Sequence, residues 1–435
     1  MRNQLDKHLP NLLVLPSKSI KSKCEYSKLA SKPGKVLIVT QFYPPDYAAT
    51  GQLIAELASQ LSKLGMKISI FTGQPGYAFD KEFAPKREVS EKVAIRRSRT
   101  SRLWPLRIRG RAINGLLFCT RVAMHLIKNS RSQNLFLFTS EPPYLSVLGY
   151  LAHKCFGIRY ICLLYDLYPD VAVALQVVPK KHGLVRFWDW LNRKIWQKAT
   201  GIIVLSSSMK ARVVAKCPEV EEKVNVIPSW ADPEAIVPRS KQDNWFARQF
   251  ELTDRFTVQY SGNLGRCHDL DTILTAAELL QEDSIQFLFI GHGAQLQACQ
   301  DRVTRLGLKN CRFLPYQDKS VLPYSLTACD LSLVSISPGL EGLVAPSKLY
   351  GILASGRPVA AVCESHSYLR SLLEEAQCGA AFDNGDAEGL AHYIRHLADN
   401  PEVSRTLGNS GRDYLNAHFT PEIIAKQYCR VLENW

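Results

Sequence analysis

The most constraining feature of this chain is a rhythm of short aliphatic strands and amphipathic helices that runs once, stops, and starts again. It opens with KVLIVTQF (Lys35–Phe42), an unbroken apolar run of the kind that parallel sheets bury on both faces. Pro44 and Pro45 end the run, and Leu53, Leu57, Leu61 and Leu64 then share one face of a helix predicted from Gly51 to Leu64. Gly65 stops that helix ahead of the next strand, KISIFTG (Lys67–Gly73). Strand, helix and strand joined by short turns are the unit of doubly wound parallel sheets. The unit continues through LFLFTS (Leu135–Ser140), a helix from Leu145 to Phe156 and YICLLYD (Tyr160–Asp166). A Trp-rich helix over Gly183–Gln197, then GIIVLS (Gly201–Ser206) and VNVIPS (Val224–Ser229), complete the first series. The polar, proline-bearing segment Ala231–Asn244 reads as a boundary. Beyond it come FTVQYSG (Phe256–Gly262), a helix near Asp269–Gln281, IQFLFIG (Ile285–Gly291), DLSLVSI (Asp330–Ile336) and RPVAAV (Arg357–Val362).

The expected architecture is therefore α/β, with two Rossmann-like domains over residues 34–235 and 236–417. A basic extension (1–33) precedes them, and a proline-started amphipathic helix (418–435) is expected to cross back to the first domain. The 435 residues suit two domains at roughly 100–200 residues each. Twelve cysteines are scattered singly, with no CxxC pair, so neither a disulfide framework nor a zinc site is legible and a reducing cytoplasmic setting is expected. No apolar run is long enough to span a membrane, and Leu12–Leu15 is too brief for a signal sequence. His125, His153 and His182 lack metal-ligand spacing and default to packing or surface roles.

Charge is the compositional deviation: 54 Lys and Arg against 40 Asp and Glu give +14, which favours anionic partners. Ten Lys and Arg residues fall between Lys86 and Arg111, opposed only by Glu88 and Glu91 and interrupted by Trp104. A second segment sets Trp188, Trp190 and Trp196 among Arg186, Arg193, Lys194 and Lys198. Tryptophan interleaved with cations suits the interface of an anionic bilayer. The bland alternatives are a solvated loop and a core helix. No nucleic-acid motif is present.

Two loops have the composition of phosphate cradles. In YSGNLGRCHDLDTIL, Gly262 and Gly265 sit between a strand and a helix, where backbone N–H groups can hold an anion. Arg266 and His268 can add charge-assisted hydrogen bonds there. In the second loop, Gly339, Glu341, Gly342 and Pro346 form a sharp turn, and Ser347 and Lys348 open a helix whose dipole favours an anion. Gly291 and Gly293 do not complete a GxGxxG fingerprint, and no P-loop exists.

Taken together, QFYPPDYAATGQLIAELASQLSKLGMKISIFTGQPGY, YDLYPDVAVALQ, GNLGR, GHG and EGLVAPSKLYGILASGRPV resemble the family-4 glycosyltransferases of GT-B architecture. The likeness is to bacterial exopolysaccharide and O-antigen transferases of the colanic acid and N-acetylfucosamine-transferase-like kind. It runs from about Lys35 to the C-terminus. The resemblance implies retaining, metal-independent transfer of a sugar from a nucleotide-sugar to an acceptor hydroxyl. The nucleotide would lie in the second domain and the acceptor against the first. No cofactor is implied, because the nucleotide-sugar is itself a substrate.

On that likeness Arg266 and Lys348 would stabilise the departing diphosphate, Glu341 would bond donor-sugar hydroxyls, and Asp166 would stand on the acceptor side. Gly51 would let the first-domain backbone approach the donor phosphates. Gly262, Asn263, His268, Gly291, Gly293, Gly342 and Ser347 would line the donor site, with Tyr316 in the base-binding loop. The chain departs from the family pattern at Asn263 and His268, which replace an Arg and a Lys, and at Gly351, which replaces the second Glu of a spaced pair. Tyr165 stands where the family has His. Implied partners are a polyprenyl-diphosphate-linked saccharide and an anionic membrane surface on the cytoplasmic face. A nucleotide-sugar 2-epimerase of the same architecture, or an inactive glycan-binding scaffold, are the alternatives.

Overall fold

The computed structural model describes residues 34–46, 48–75, 84–98, 108–129 and 135–433. The first half begins with β1 (Lys35–Val39), α1 (Ala49–Lys63), β2 (Lys67–Thr72), β3 (Arg87–Ser90) and β4 (Val93–Arg97). It continues with α2 (Ile108–Asn129), β5 (Leu135–Thr139), α3 (Ser146–Phe156) and β6 (Tyr160–Leu164). α4 (Asp170–Ala174), α5 (Gly183–Lys198), β7 (Gly201–Val204), α6 (Ser207–Lys216) and β8 (Val224–Val226) complete it. These strands form one sheet in the order β3-β4-β2-β1-β5-β6-β7-β8, parallel except for the edge strand β3.

The second half holds α7 (Trp245–Gln249), β9 (Phe256–Ser261), α8 (Asp271–Leu279), β10 (Ile285–Ile290), α9 (Leu296–Leu306) and β11 (Cys311–Leu314). There follow α10 (Leu322–Leu326), β12 (Leu331–Ser335), α11 (Lys348–Ala354), β13 (Val359–Val362), α12 (Tyr368–Ala376) and β14 (Gly379–Phe382). α13 (Ala387–Asp399), α14 (Pro401–His418) and α15 (Pro421–Glu433) close the chain. The second sheet is wholly parallel, in the order β11-β10-β9-β12-β13-β14.

Both sheets follow from the residues. β5, β6, β7 and β12 are buried along their whole length, because helices cover both faces and every position must be apolar or small. β4 alternates buried and exposed residues, as a strand near an edge does. In α1, Ile54, Leu57, Ala58 and Leu61 are buried on one face, each large side chain contributing about 1.5–3 kcal/mol. In each sheet the chain order reverses once, between β1 and β5 and between β9 and β12. Ligands of open α/β sheets bind beyond the strand C-termini at such a reversal.

The basic run is not one solvated loop. β3 and β4 form a hairpin from its first half. Arg97 is buried there, donating to the carbonyls of Pro85 (3.1 Å) and Pro44 (2.7 Å) and to Glu88 Oε1 (3.0 Å). Lys86, Arg87, Lys92 and Arg96 remain exposed. Arg99, Arg102, Trp104 and Arg107 lie outside the described residues, as does the whole 1–33 extension.

The last helix returns to the first half. α15 packs on α1, and its Tyr428 meets Trp230 edge-on at 6.3 Å. The Trp230 indole N–H in turn donates to Glu56 of α1 at 2.8 Å. Tyr428 is fully buried in this junction, so Tyr428→Ala should cost about 3–5 kcal/mol and lower the thermal denaturation midpoint by several degrees.

Candidate active site

The reversal point of the second sheet carries a buried amine. Lys348, first residue of α11, reaches back over β9 and sets its Nζ 3.6 Å from the centre of the Tyr260 ring. A Cβ on Gly262 would come within 3.5 Å of the same atom. Nζ is out of solvent contact and has no hydrogen-bond partner, although the residue as a whole is only half-buried. Burial drives the amine's pKa well below its usual value. Among the described residues the Tyr260 ring is the group that eases a charge at that position. An unpaired buried ammonium costs several kcal/mol, and an incoming anion removes that cost.

The loop beneath Lys348 is rigid. Gly262 and Gly291, at the ends of β9 and β10, both have positive φ, 128° and 140°. A Cβ on Gly291 would lie 1.9 Å from the Gly262 carbonyl oxygen, and one on Gly293 would lie 2.4 Å from that of Leu264. Gly262 N–H donates to Ile290 O (2.8 Å) and Leu264 N–H to His292 O (3.0 Å). The Gln295 amide then donates to the carbonyls of Gly265 (2.6 Å) and His268 (2.9 Å).

His268 sits edge-on to Tyr260 at 6.0 Å, with Nδ1 3.0 Å from the Ser335 carbonyl. Burial, then the charge of Lys348, pushes its pKa down to about 3. The imidazole is therefore neutral, donating from Nδ1 and leaving an acceptor at Nε2. The Ser335 hydroxyl is fully buried and unpartnered.

The loop after β12 supplies a carboxylate and touches the first half of the chain. Glu341 is 1% exposed; Oε1 accepts from the Tyr368 N–H at 3.3 Å, and Oε2 is buried with no partner. Arg212 of α6 donates to the Glu341 carbonyl at 3.2 Å, and Leu167 N–H to that of Leu343 at 3.0 Å. Gly342, at φ 73°, packs so that a Cβ would lie 2.7 Å from the Ser208 carbonyl oxygen.

Several residues read from the sequence as donor contacts also have structural work. Gly51 is buried in the first turn of α1, where a Cβ would meet the Phe42 carbonyl carbon at 2.9 Å; it lets the helix approach that loop and exposes no backbone. Gly291 and Gly293 make room for the Gly262 loop in the same way. His268, expected to add a positive charge, is uncharged for the reasons above. Asn263 is exposed and lays its side chain across Gly265 and Gly293. Ser347 makes no side-chain cap, and the seven-residue α11 gives little dipole. Tyr316 is 45% exposed, its hydroxyl donating to the His292 carbonyl at 3.4 Å. Arg266 is exposed on the loop that ends at His268 and has no ion-pair partner among the described residues.

The first sheet presents carboxyl groups at its own reversal point. Asp166 follows β6, and burial raises its pKa to about 6. Burial first, then the Asp166 charge, raises the thiol pKa of Cys267, and the residue after Asp166, Leu167, donates its N–H to Leu343 O in the second sheet's β12 loop at 3.0 Å. Glu141, missed from the sequence, follows β5 and accepts from the Thr50 hydroxyl at 2.6 Å. Burial first, then Asp166 and Asp46, raises its carboxyl from an ordinary 4.5 to about 7. Gln295 and Ser335 were missed as well. The one legible signal for Glu141 was an acid two residues after a fully buried strand. Among the described residues no group of three or more His, Cys, Asp or Glu is disposed to hold a metal ion.

Two parallel sheets opposed at their strand ends, with a cationic pocket on one and carboxyls on the other, define a GT-B glycosyltransferase. Residues 50–235 match the family described as Glycosyltransferase Family 4, and residues 241–414 match Glycosyl transferases group 1. The chain belongs to these group-1 and family-4 glycosyltransferases. WbjE of Pseudomonas aeruginosa, whose name assigns it to the glycosyltransferases, is 25% identical over 309 residues, 70% of this chain and 76% of that protein. WcaI of Escherichia coli (strain K12), named for glycosyl transfer in colanic acid biosynthesis, is 24% identical over 412 residues, 91% and 98% of the two. The fold is shared with the Anabaena HepE structure in complex with UDP and glucose, at a TM-score of 0.69 and 14% identity over 92% of this chain and 100% of that one.

Gly291→Ala should force the Gly262 carbonyl aside and cost on the order of 2–4 kcal/mol in denaturant titrations. Glu141 gives a pH-dependent check. The fold favours its neutral form, so the associated stability is complete below about pH 4.5 and is lost as pH rises through 7. Glu141→Gln should match wild type near pH 4.5 and exceed it by on the order of 2 kcal/mol above about pH 8.

Proposed function

We propose that the chain transfers a glycosyl group from a nucleoside-diphosphate sugar to an acceptor hydroxyl, with retention of anomeric configuration and without a metal. The observation that carries this reading is the buried, partnerless Lys348 amine beside Gly262. A diphosphate laid against Gly262 gives that amine the acceptor it lacks, and Arg266 is free to close on the outer phosphate oxygens. As the anomeric C–O bond breaks, negative charge grows on the diphosphate, and fixed cations in a water-poor pocket lower the barrier most. The acceptor oxygen bonds to the anomeric carbon from the same face, and its proton passes to the departing phosphate oxygen. Glu341 Oε2 receives a donor-sugar hydroxyl, and Asp166 stands on the acceptor side. The UDP and glucose complex named for HepE is in keeping with such a donor.

The acceptor in this reading is a polyprenyl-diphosphate-linked saccharide of exopolysaccharide or O-antigen synthesis, met at the cytoplasmic face of the membrane. The name of WcaI supports the pathway class. One face of the first domain supports the membrane. On α5, Leu184, Phe187 and Trp190 are 51%, 56% and 53% exposed beside exposed Arg186, Arg193 and Lys194. Trp196 of the same helix is buried, and Trp188 stacks on Tyr168. On α2, Leu116, Met124 and Ile127 are also exposed, and α3 links the two helices. Among the described residues no helix is long and apolar enough to cross a membrane.

Incubating the protein with UDP-, GDP- and dTDP-sugars and following nucleotide release tests the reading. Acceptor-dependent release of nucleoside diphosphate is expected; isomerised donor would mean an epimerase, and neither product would mean a scaffold. Lys348→Met should lower turnover by about 10²–10³-fold while leaving the melting temperature equal or higher, since a buried unpaired charge is removed.

A further inference from the structure

Glu141 is an expensive residue for the fold to keep. It stands between β5 and α3, its backbone carbonyl held by the Gln41 N–H (3.3 Å) and the Thr139 hydroxyl (3.4 Å). Thr50 pins Oε2, while Oε1 has no protein partner among the described residues. Among the described residues no cation answers the carboxyl: its charged neighbours are Asp166 and Asp46, in a chain with 54 Lys and Arg. A glutamine would satisfy Thr50 and fill the same volume without burying a charge. Isolated acids in a cleft are a mark of function more than of packing.

A second observation points the same way. Tyr165 is 7% exposed and its hydroxyl has no hydrogen-bond partner, yet it lies close enough to Glu141 to feel that carboxylate's charge. Ser140 ties the two strand ends together, accepting from the Tyr165 N–H at 2.9 Å and the Asp166 N–H at 3.4 Å. Glu141 and Asp166 thus follow adjacent strands, and Leu167 N–H, next to Asp166, joins this edge to Leu343 O in the loop that carries Glu341, at 3.0 Å.

We infer that Glu141 is an acceptor-binding residue, and that it and Asp166 together receive the hydroxyl to be glycosylated through hydrogen bonds from the open side of the pair. The inference rests on the donor placement proposed above and adds the residue that faces it. One proton shared by the pair leaves one carboxylate to accept from the nucleophilic hydroxyl, which is thereby aimed at the anomeric carbon. The hydroxyl's proton still leaves with the diphosphate, so the pair ends each turnover as it began.

The test uses the full chain and the donor that supports turnover in the nucleotide-release assay, with synthetic polyprenyl-diphosphate monosaccharides, or water, as acceptor. Glu141→Gln should lower acceptor-dependent release about 10- to 100-fold, raise the acceptor KM, and leave calorimetric affinity for UDP or the matching diphosphate within about twofold. Asp166→Asn should act alike, and the double variant should be little worse than either alone, as residues acting as one unit behave. The remaining activity of Glu141→Gln should lose the limb near pH 7 that belongs to Glu141 and keep the one near pH 6 from Asp166, whose carboxyl is raised by burial. Asp46, Tyr165, Tyr168 and Cys267, the other titratable groups facing the pair, are unchanged in that variant. Unaltered turnover and pH profile in Glu141→Gln, or a parallel fall in diphosphate affinity, would overturn the inference. Absence of any diphosphate binding by wild type would instead overturn the donor placement.

Discussion

A lysine amine held away from water with nothing to bond is the constraint around which the second domain is arranged. Lys348 gains nothing for folding: its Nζ has only the Tyr260 ring for company, and a neutral side chain there would pack at less cost. The surroundings nonetheless fix its place. Gly262 and Gly291 accept backbone angles and contacts closed to other residues, so the loop lies flat enough for α11 to pass Lys348 over it. His268, neutral and turned toward Ser335, leaves the Lys348 amine as the buried basic group beside Gly262. This arrangement is what the proposed diphosphate site rests on.

Sheet topology explains why the opposing groups meet. Each sheet reverses strand order once, and each reversal opens a crevice at the strand C-termini. In the first sheet that crevice gathers Glu141 and Asp166, two acids from neighbouring strands; in the second it gathers Gly262, Glu341 and Lys348. The loop after β12 bridges them through Arg212 and Leu167, and α15 returns to α1. Cation and carboxyl sides thus belong to different domains, and chemistry that needs both depends on how the two halves close.

Much of the architecture was legible because central parallel strands are continuous apolar runs that no helix or loop imitates; β5, β6 and β12 fall within a residue or two of the runs read from the sequence. What escaped was the periphery. β3 and β4 carry REVS and VAIRR, charged on their outer face, and read as part of a basic loop. α14 was hidden by Gly408 and Gly411, which look like breakers but sit at close contacts: a Cβ on Gly408 would lie 2.1 Å from the Gly356 carbonyl oxygen, and one on Gly411 2.9 Å from the Cys378 Cβ. In the site, Lys348, Gly262 and Glu341 could be named from the loops that carry them. Glu141 could not, since its pKa is raised first by burial and then by Asp166 and Asp46, which are distant in sequence and brought near by the sheet. Gly51, Gly291 and Gly293 add a close backbone approach that the sequence does not announce, because a glycine that admits a ligand and one that admits another backbone look identical in sequence.

The central claim is a distance, and a crystal structure of the protein with bound UDP measures it. The account expects a β-phosphate oxygen at hydrogen-bond range, about 3 Å, from Lys348 Nζ and seated against Gly262. A diphosphate bound elsewhere in the cleft, with Nζ still buried and unpartnered, would contradict it.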